Sequence, residues 1–146
     1  MRFMILVRAT QKTESGVMPE DGLIAEMAAY HEELSKAGVL VDASGLQPSA
    51  KGWRIRYQGQ QRTVTDGPFA ETKELIAGYT IIQVKSREEA LEWTRRFPNP
   101  ATDDDNCEIE VRQLYDLEDF PPSYGIERFR ELEQIQQRQQ SPQQSQ

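Results

Sequence analysis

Strand-like and helix-like segments alternate along the first 112 residues, and their order is what most restricts the fold. Six segments carry the short apolar or alternating pattern of β-strands: 2–8, 39–46, 53–57, 61–65, 76–85 and 107–112. Helices are predicted between the first and second strands and between the fifth and sixth. The third and fourth strands form a hairpin across Gln58-Gly59-Gln60. This order predicts an α+β, ferredoxin-like β-α-β-β-α-β fold with an extra hairpin and an antiparallel sheet.

The two helices have clear sequence signals. The first is predicted over 19–37, with Gly38 as its stop, and residues 9–19 before it are predicted to be loop. Its apolar stripe consists of Leu23, Met27, Tyr30, Leu34 and Ala37. The second helix follows Ser86, which has Glu89 three residues on as in a capping box, and ends before Pro98. Two helices cover one sheet face only, so the other face meets either water or a second sheet.

The length of 146 residues suits one domain with an appendage. We assign residues 1–118 to the domain and 119–146 to a C-terminal extension. In the extension, 126–138 predicts a short amphipathic helix with Ile126, Phe129, Leu132 and Ile135 on its apolar side. The Gln-rich end, 139–146, is predicted to be disordered.

Charge and composition exclude several functions. The formal net charge of −7 disfavours nucleic-acid binding, and no apolar run approaches the ~20 residues of a membrane span. With no secretory signal at the N-terminus, a cytoplasmic location is expected. One cysteine and one histidine allow neither an internal disulfide nor a multi-histidine metal centre, so no metal and no cofactor are expected. Cys107 is predicted to be buried in a strand and unreactive.

A charged turn links the hairpin to the fifth strand. It runs Asp66-Gly67-Pro68-Phe69 and continues as Glu71-Thr72-Lys73-Glu74. Gly67 can take backbone angles closed to other residues, and Pro68 fixes its own φ. Asp66 either acts as a carboxylate base at a pocket mouth or only holds the turn by accepting backbone hydrogen bonds. Glu71 and Lys73 are candidate binding residues beside it, although the segment also suits a half turn of solvated helix.

A second candidate patch lies on the sheet. Alternation places Glu108, Glu110 and Arg112 on the face opposite Cys107, Ile109 and Val111, and Arg8 of the first strand belongs to the same face. Arg8, Glu110 and Arg112 therefore form either a binding patch for a polar or anionic group, or a set of ion pairs worth about 0–1 kcal/mol each.

Two further residues are candidates. His31 lies about 40° around the helix from Met27, at the flank of the apolar stripe. It is either catalytic or a packing residue, and a hydrogen bond to Asp66 or another carboxylate distinguishes the two. Tyr79 of the fifth strand either reaches into a pocket with its phenol or packs in the core.

The stretch from Asp66 to Phe69, with Glu71-Thr72-Lys73-Glu74, Gly78-Tyr79 and Glu110-Val111-Arg112, resembles the DGPF domain, a branch of the YCII-related proteins. The resemblance implies a dimeric α+β barrel, in which two sheets pack face to face and enclose pockets. Its better-studied relatives are thought to use a His-Asp pair, but this chain does not show that histidine motif clearly. Some members lie beside genes for alternative sigma factors, which implies a regulatory protein partner as another possibility.

Two functions follow as expectations. The first is a homodimer that binds an unknown small molecule, with cofactor-independent acid-base activity that uses Asp66 and His31 and with Arg8, Glu71, Lys73, Tyr79, Glu110 and Arg112 as binding residues. The second is a non-enzymatic regulatory module, linked for example to a sigma factor, whose C-terminal helix recognises another protein.

Overall fold

A computed structural model describes residues 1–101 and 107–141. They divide into two units, the first comprising residues 1–114 and the second beginning at Tyr115. The strands and helices, in chain order, are β1 (Arg2–Arg8), α1 (Gln11–Glu14), α2 (Asp21–Lys36), β2 (Leu40–Gly45), β3 (Trp53–Gln58), β4 (Gln61–Asp66), β5 (Ile76–Gln83), α3 (Arg87–Arg95), β6 (Ile109–Gln113) and α4 (Tyr124–Gln140).

The main sheet of the first unit has four strands in the spatial order β2-β5-β1-β6, and every neighbouring pair is antiparallel. The two strands at its centre, β1 and β5, are separated along the chain by the helices α1 and α2, the strand β2 and the hairpin. This is the predicted α+β, ferredoxin-like arrangement. The hairpin β3-β4 lies between β2 and β5 in the sequence and forms a separate two-stranded sheet, also as predicted.

The core lies between one face of this sheet and the helices. It consists of Phe3, Ile5, Tyr30, Leu34, Val39, Ile82, Val84 and Ala90. Ile5, Leu34 and Ile82 are the largest fully buried side chains, because each comes from a different element packed at the centre. In β6, Val111 lies opposite Ile5 while Glu110 lies opposite Leu6, so the predicted alternation of faces is confirmed.

The caps explain where the helices begin and end. Ser86 accepts a hydrogen bond from the Glu89 amide at 3.1 Å, which begins α3. Gly38, with φ of 73°, follows the last turn of α2 in the left-handed conformation that favours glycine. The predicted loop 9–19 is wrong in part, because Thr10 and Thr13 form a reciprocal capping box that begins the short helix α1.

Cys107 is not in a strand, contrary to the prediction. The ladder between β6 and β1 begins at Ile109, which lies opposite Val7 near the end of β1. Because β1 ends at Arg8, almost no β1 backbone remains for the residues before Ile109, including Cys107, to pair with. The acidic stretch Asp103-Asp104-Asp105-Asn106, which its charge predicts to be a solvated loop, lies outside the described residues.

The second unit contains a short 3-10 turn, Leu117–Asp119, and the helix α4. Ser123 begins α4 by accepting a hydrogen bond from the Ile126 amide at 3.2 Å. The helix is four residues longer than predicted and includes Gln139 and Gln140. The rest of the predicted disordered tail, from residue 142 on, lies outside the described residues. None of the described helices is both long and apolar enough to cross a membrane.

Candidate functional site

A cavity of about 490 Å³ opens between α2 and the main sheet of the first unit. Leu23, Ile24, Met27, Ala28 and His31 of α2 form one wall. The facing wall comes from the sheet, and residues after α3 contribute as well: Val7, Ala43, Ser44, Gly45, Ala77, Gly78, Tyr79, Thr80, Phe97 and Pro100. This volume lies within the range of pockets that hold small organic molecules, roughly 300–1,000 Å³.

Small sheet residues create the space. Ala43 lies opposite Thr80, and Gly45 lies opposite Gly78, so these four residues share the sheet face that α2 covers. Three of the four carry no side-chain atom beyond a methyl group. Farther along the same face, Ile82 and Ile5 fill the gap to the helices completely. The N-terminal half of α2 therefore covers the sheet without filling the volume beneath it.

His31 is held at the cavity wall by two hydrogen bonds. Its Nδ1 lies 2.7 Å from the Met27 carbonyl oxygen and its Nε2 lies 2.8 Å from the Thr80 hydroxyl. A carbonyl only accepts, so Nδ1 carries the hydrogen, and in the neutral ring Nε2 accepts from Thr80. Neither partner is a carboxylate, so the contact with Asp66 that would have supported a His-Asp pair is not made by this side chain within the described chain.

Asp66 lies at the end of β4, opposite Trp53, and is exposed. It is not among the described residues that line the cavity. The turn that follows is packed tightly against the segment Ser49–Lys51: a Cβ on Gly67 would lie 1.8 Å from the Ser49 carbonyl oxygen. The Gly67-Pro68 peptide bond is cis. Close backbone approach, rather than chemistry, explains why glycine stands at this position.

Ser49 joins this turn to α1. Its hydroxyl donates to one carboxylate oxygen of Glu14, its amide donates to the other at 3.1 Å, and its hydroxyl oxygen accepts from the Phe69 amide at 3.0 Å. The Arg54 guanidinium lies over the Phe69 ring, 3.9 Å from its centre. We call this set, Glu14, Ser49, Phe69 and Arg54, the turn latch. It fastens the inserted hairpin to the body of the first unit.

The predicted patch on the helix-free face is present in part. Arg8 donates to Glu110 at 3.2 Å and to the Lys73 carbonyl oxygen at 2.8 Å. Arg112 lies on the same face, opposite Met4, and is exposed. The structure therefore brings Arg8, Glu110 and the backbone of Lys73 together. None of them is a described cavity-lining residue, and the partly exposed pair is of a kind that contributes about 0–1 kcal/mol.

Two side chains, Glu74 and Tyr79, have raised pKa values. A hydrogen bond with Glu71 raises the pKa of Glu74, because the two carboxyl groups lie close enough to share a proton. Tyr79 donates to Asp42 at 3.0 Å, and this hydrogen bond raises the pKa of the Tyr79 phenol. Tyr79 is among the cavity-lining residues, but its place opposite Leu6 puts the phenol on the helix-free face of the sheet. Lys73 belongs to the 3-10 segment Thr72–Glu74, and Glu71 directly precedes it.

Cys107 is half-buried, and burial raises the pKa of its thiol. Since the thiolate is the reactive form, this shift agrees with the expectation that it is unreactive.

Sequence reasoning missed Thr80. It placed Leu23 and Met27 on the apolar stripe of α2, and both are half-buried and line the cavity. A usable signal was present in β5, where Gly78 and Thr80 interrupt the large apolar side chains expected on a buried face.

The family model of the YCII-related domain matches residues 1–116. The chain belongs to the YCII-related family. An uncharacterized protein of Rhizobium meliloti (strain 1021) is 28% identical over 102 residues, covering 70% of this chain and 82% of that relative. The YCII-related match contains the whole main sheet, the cavity and the turn latch, and it ends before α4.

Proposed function

We propose that this YCII-related protein binds a small organic molecule in the cavity between α2 and the sheet. The observation that carries the proposal is the combination of volume and lining. A space of about 490 Å³ is bordered mainly by apolar side chains and holds a histidine at its wall. Apolar lining supplies affinity through burial of ligand surface, and a few polar groups supply orientation.

Acid-base chemistry in this cavity belongs to His31. Its Nε2 has a lone pair that the Thr80 hydroxyl now occupies at 2.8 Å, and rotation of that hydroxyl makes the lone pair available to a ligand proton. The Met27 carbonyl keeps the ring oriented through Nδ1 and stabilises the imidazolium that forms. Asp66, exposed at the end of β4 and not among the described lining residues, has no part in this chemistry.

The proposal is tested with two matched variants of α2. Ala28 and Ala29 are adjacent exposed alanines, but only Ala28 lines the cavity. A fragment library is screened by ligand-observed NMR against the wild type, Ala28→Trp and Ala29→Trp. We expect hits whose signals are lost with Ala28→Trp and retained with Ala29→Trp. Hits that survive both substitutions, or no hits at all, would refute binding in this cavity.

We further propose that the protein forms a homodimer through the helix-free face of the sheet. Met4, Leu6 and Ile81 are apolar residues of this face, and Met4 and Leu6 lie on a central strand. An apolar strip bordered by charged residues is typical of an interface. Light scattering coupled to size exclusion tests it. The Met4→Lys variant is expected to run as a monomer with an unchanged circular dichroism spectrum, and a wild-type monomer contradicts the proposal.

A regulatory role is the second candidate. Phe129, Leu132 and Ile135 of α4 are 59%, 54% and 46% exposed, and an exposed apolar side of a helix suits recognition by a protein groove. Truncation after Pro122 removes α4. If a partner is captured equally well by the full chain and the truncated chain, this candidate is wrong.

A further inference from the structure

We infer that the cavity selects an uncharged, largely apolar, ring-sized molecule and rejects organic anions such as carboxylates. This inference rests on the proposed function, because it specifies the ligand class of the same cavity. It differs from the expectation that Arg8 and Arg112 bind an anionic group, since both residues belong to the opposite face of the sheet.

The first argument is the absence of lysine and arginine from the cavity wall. The stretches 102–106 and 142–146 contain neither lysine nor arginine, so all 17 of these residues lie in the described part of the chain. None of them lines the cavity. A carboxylate that enters loses hydration worth several kcal/mol and meets no lysine or arginine to offset the loss, while the His31 ring, neutral in the hydrogen-bond arrangement described above, presents a lone pair bound to Thr80.

The second argument is that the polar side chains of the lining residues already donate hydrogen bonds to other groups of the protein. The lining residues with polar side chains are Thr13, His31, Ser44, Tyr79 and Thr80. Ser44 and Tyr79 lie opposite each other, and Tyr79 lies opposite Leu6, so these two contribute backbone to the wall and their side chains project from the helix-free face. The hydroxyls of Thr13 and Ser44 donate to backbone carbonyls. Tyr79 donates to Asp42, and Thr80 donates to His31. An anion therefore finds no uncommitted side-chain donor among the described lining residues, whereas an apolar ring gains from contact with the rest of the wall.

One cation lies close by. Lys12 lines a smaller cleft of about 70 Å³ that shares Thr13, Pro19, Leu23 and Pro100 with the cavity. A carboxylate that reached Lys12 would sit in that cleft instead of the cavity, so the experiment includes a variant of this residue.

The test compares one ring system in two charge states. Methyl indole-3-acetate and indole-3-acetate have nearly the same shape, and their dissociation constants for the wild type are measured by NMR titration at pH 7. We expect the ester to bind at least about tenfold more tightly. Ile24 lines the cavity and is 49% exposed, so Ile24→Lys introduces a cation at the wall. We expect this variant to reduce the ester's advantage to under about threefold, and the control Ala29→Lys to leave it unchanged.

Three results of these titrations would overturn the inference or the proposed function. An acid that binds the wild type as tightly as the ester overturns the inference but leaves ligand binding intact, and weaker acid binding by Lys12→Met would then place the carboxylate in the adjoining cleft. An unchanged ester preference in Ile24→Lys also overturns it, because charge would not be the cause. Failure of both probes, with no hit in the fragment screen, overturns the proposed function as well.

Discussion

Substituting Ser49 with alanine tests whether the turn latch holds the hairpin in place. The variant loses the hydroxyl that donates to Glu14 and accepts from the Phe69 amide. A hydrogen bond to a charged group contributes about 1.5–3 kcal/mol and a neutral one about 0.5–1.5 kcal/mol. Both bonds are half-buried, so we expect the free energy of unfolding to fall by about 2–4 kcal/mol. This corresponds to a melting temperature lower by roughly 8–15 °C.

The assay is urea unfolding followed by tryptophan fluorescence, since Trp53 begins the hairpin next to the latch. The matched control is Ser44→Ala, whose hydroxyl makes one exposed bond to its neighbour's carbonyl and should change stability by less than about 0.5 kcal/mol. In a double-mutant cycle with Glu14→Ala, the shared bond is lost only once. The double variant should therefore lose about 1.5–3 kcal/mol less than the sum of the single variants.

The reasoning is refuted if Ser49→Ala and Ser44→Ala destabilise equally, or if the cycle shows no coupling. Either result would mean that the hairpin is held by other contacts and that Glu14 is only a surface carboxylate.

Three other predictions concern single positions. Gly67→Ala should unfold at a urea concentration clearly below that of the wild type, because its Cβ would lie 1.8 Å from the Ser49 carbonyl oxygen; an unchanged midpoint would contradict this geometry. Burial raises the pKa of Tyr30 to about 12, so ultraviolet titration should show a tyrosine that ionises near pH 12, and stability should fall as pH rises from 10 to 12. The Tyr30→Phe variant should lack both effects. Cys107 should react with iodoacetamide at pH 7 more slowly than free cysteine does, and an equal rate would show that burial does not protect it.

The architecture could be predicted because its signals are local. The apolar run at Arg2–Arg8 and the stop at Gly38 each depend on a few neighbouring residues, and both are confirmed. The alternation in β6 also assigned Glu110 to the helix-free face correctly. Helix α1 was missed because it has only four residues and depends on one capping box, which no periodicity reveals.

The site was harder to predict because the cavity exists where large side chains are absent from the sheet. A cavity arises where several small residues from distant parts of the chain meet. Gly78 interrupts the apolar pattern of β5, but Ala43 and Gly45 give no such signal, and the pairing that brings the three together is known only from the structure. His31 was a candidate from its place on α2, but its partner Thr80 is 49 residues away and could be identified only in three dimensions. The charged residues Glu110 and Arg112, by contrast, lie on the helix-free face of the sheet, as the alternation in β6 predicted.

The small residues beneath α2 also determine how this scaffold can diverge. A methyl group added to Gly45 would have no heavy-atom neighbour within 4 Å, whereas one added to Gly78 would lie 3.0 Å from the Ser44 carbonyl oxygen. Progressively larger side chains at position 45, whether they arise in evolution or by design, can thus reduce the cavity volume while the strands keep their pairing. At position 78 a larger side chain would press on the backbone of the neighbouring strand β2. Paralogues that accommodate guests of different bulk are therefore expected to vary at the first position and to retain glycine at the second.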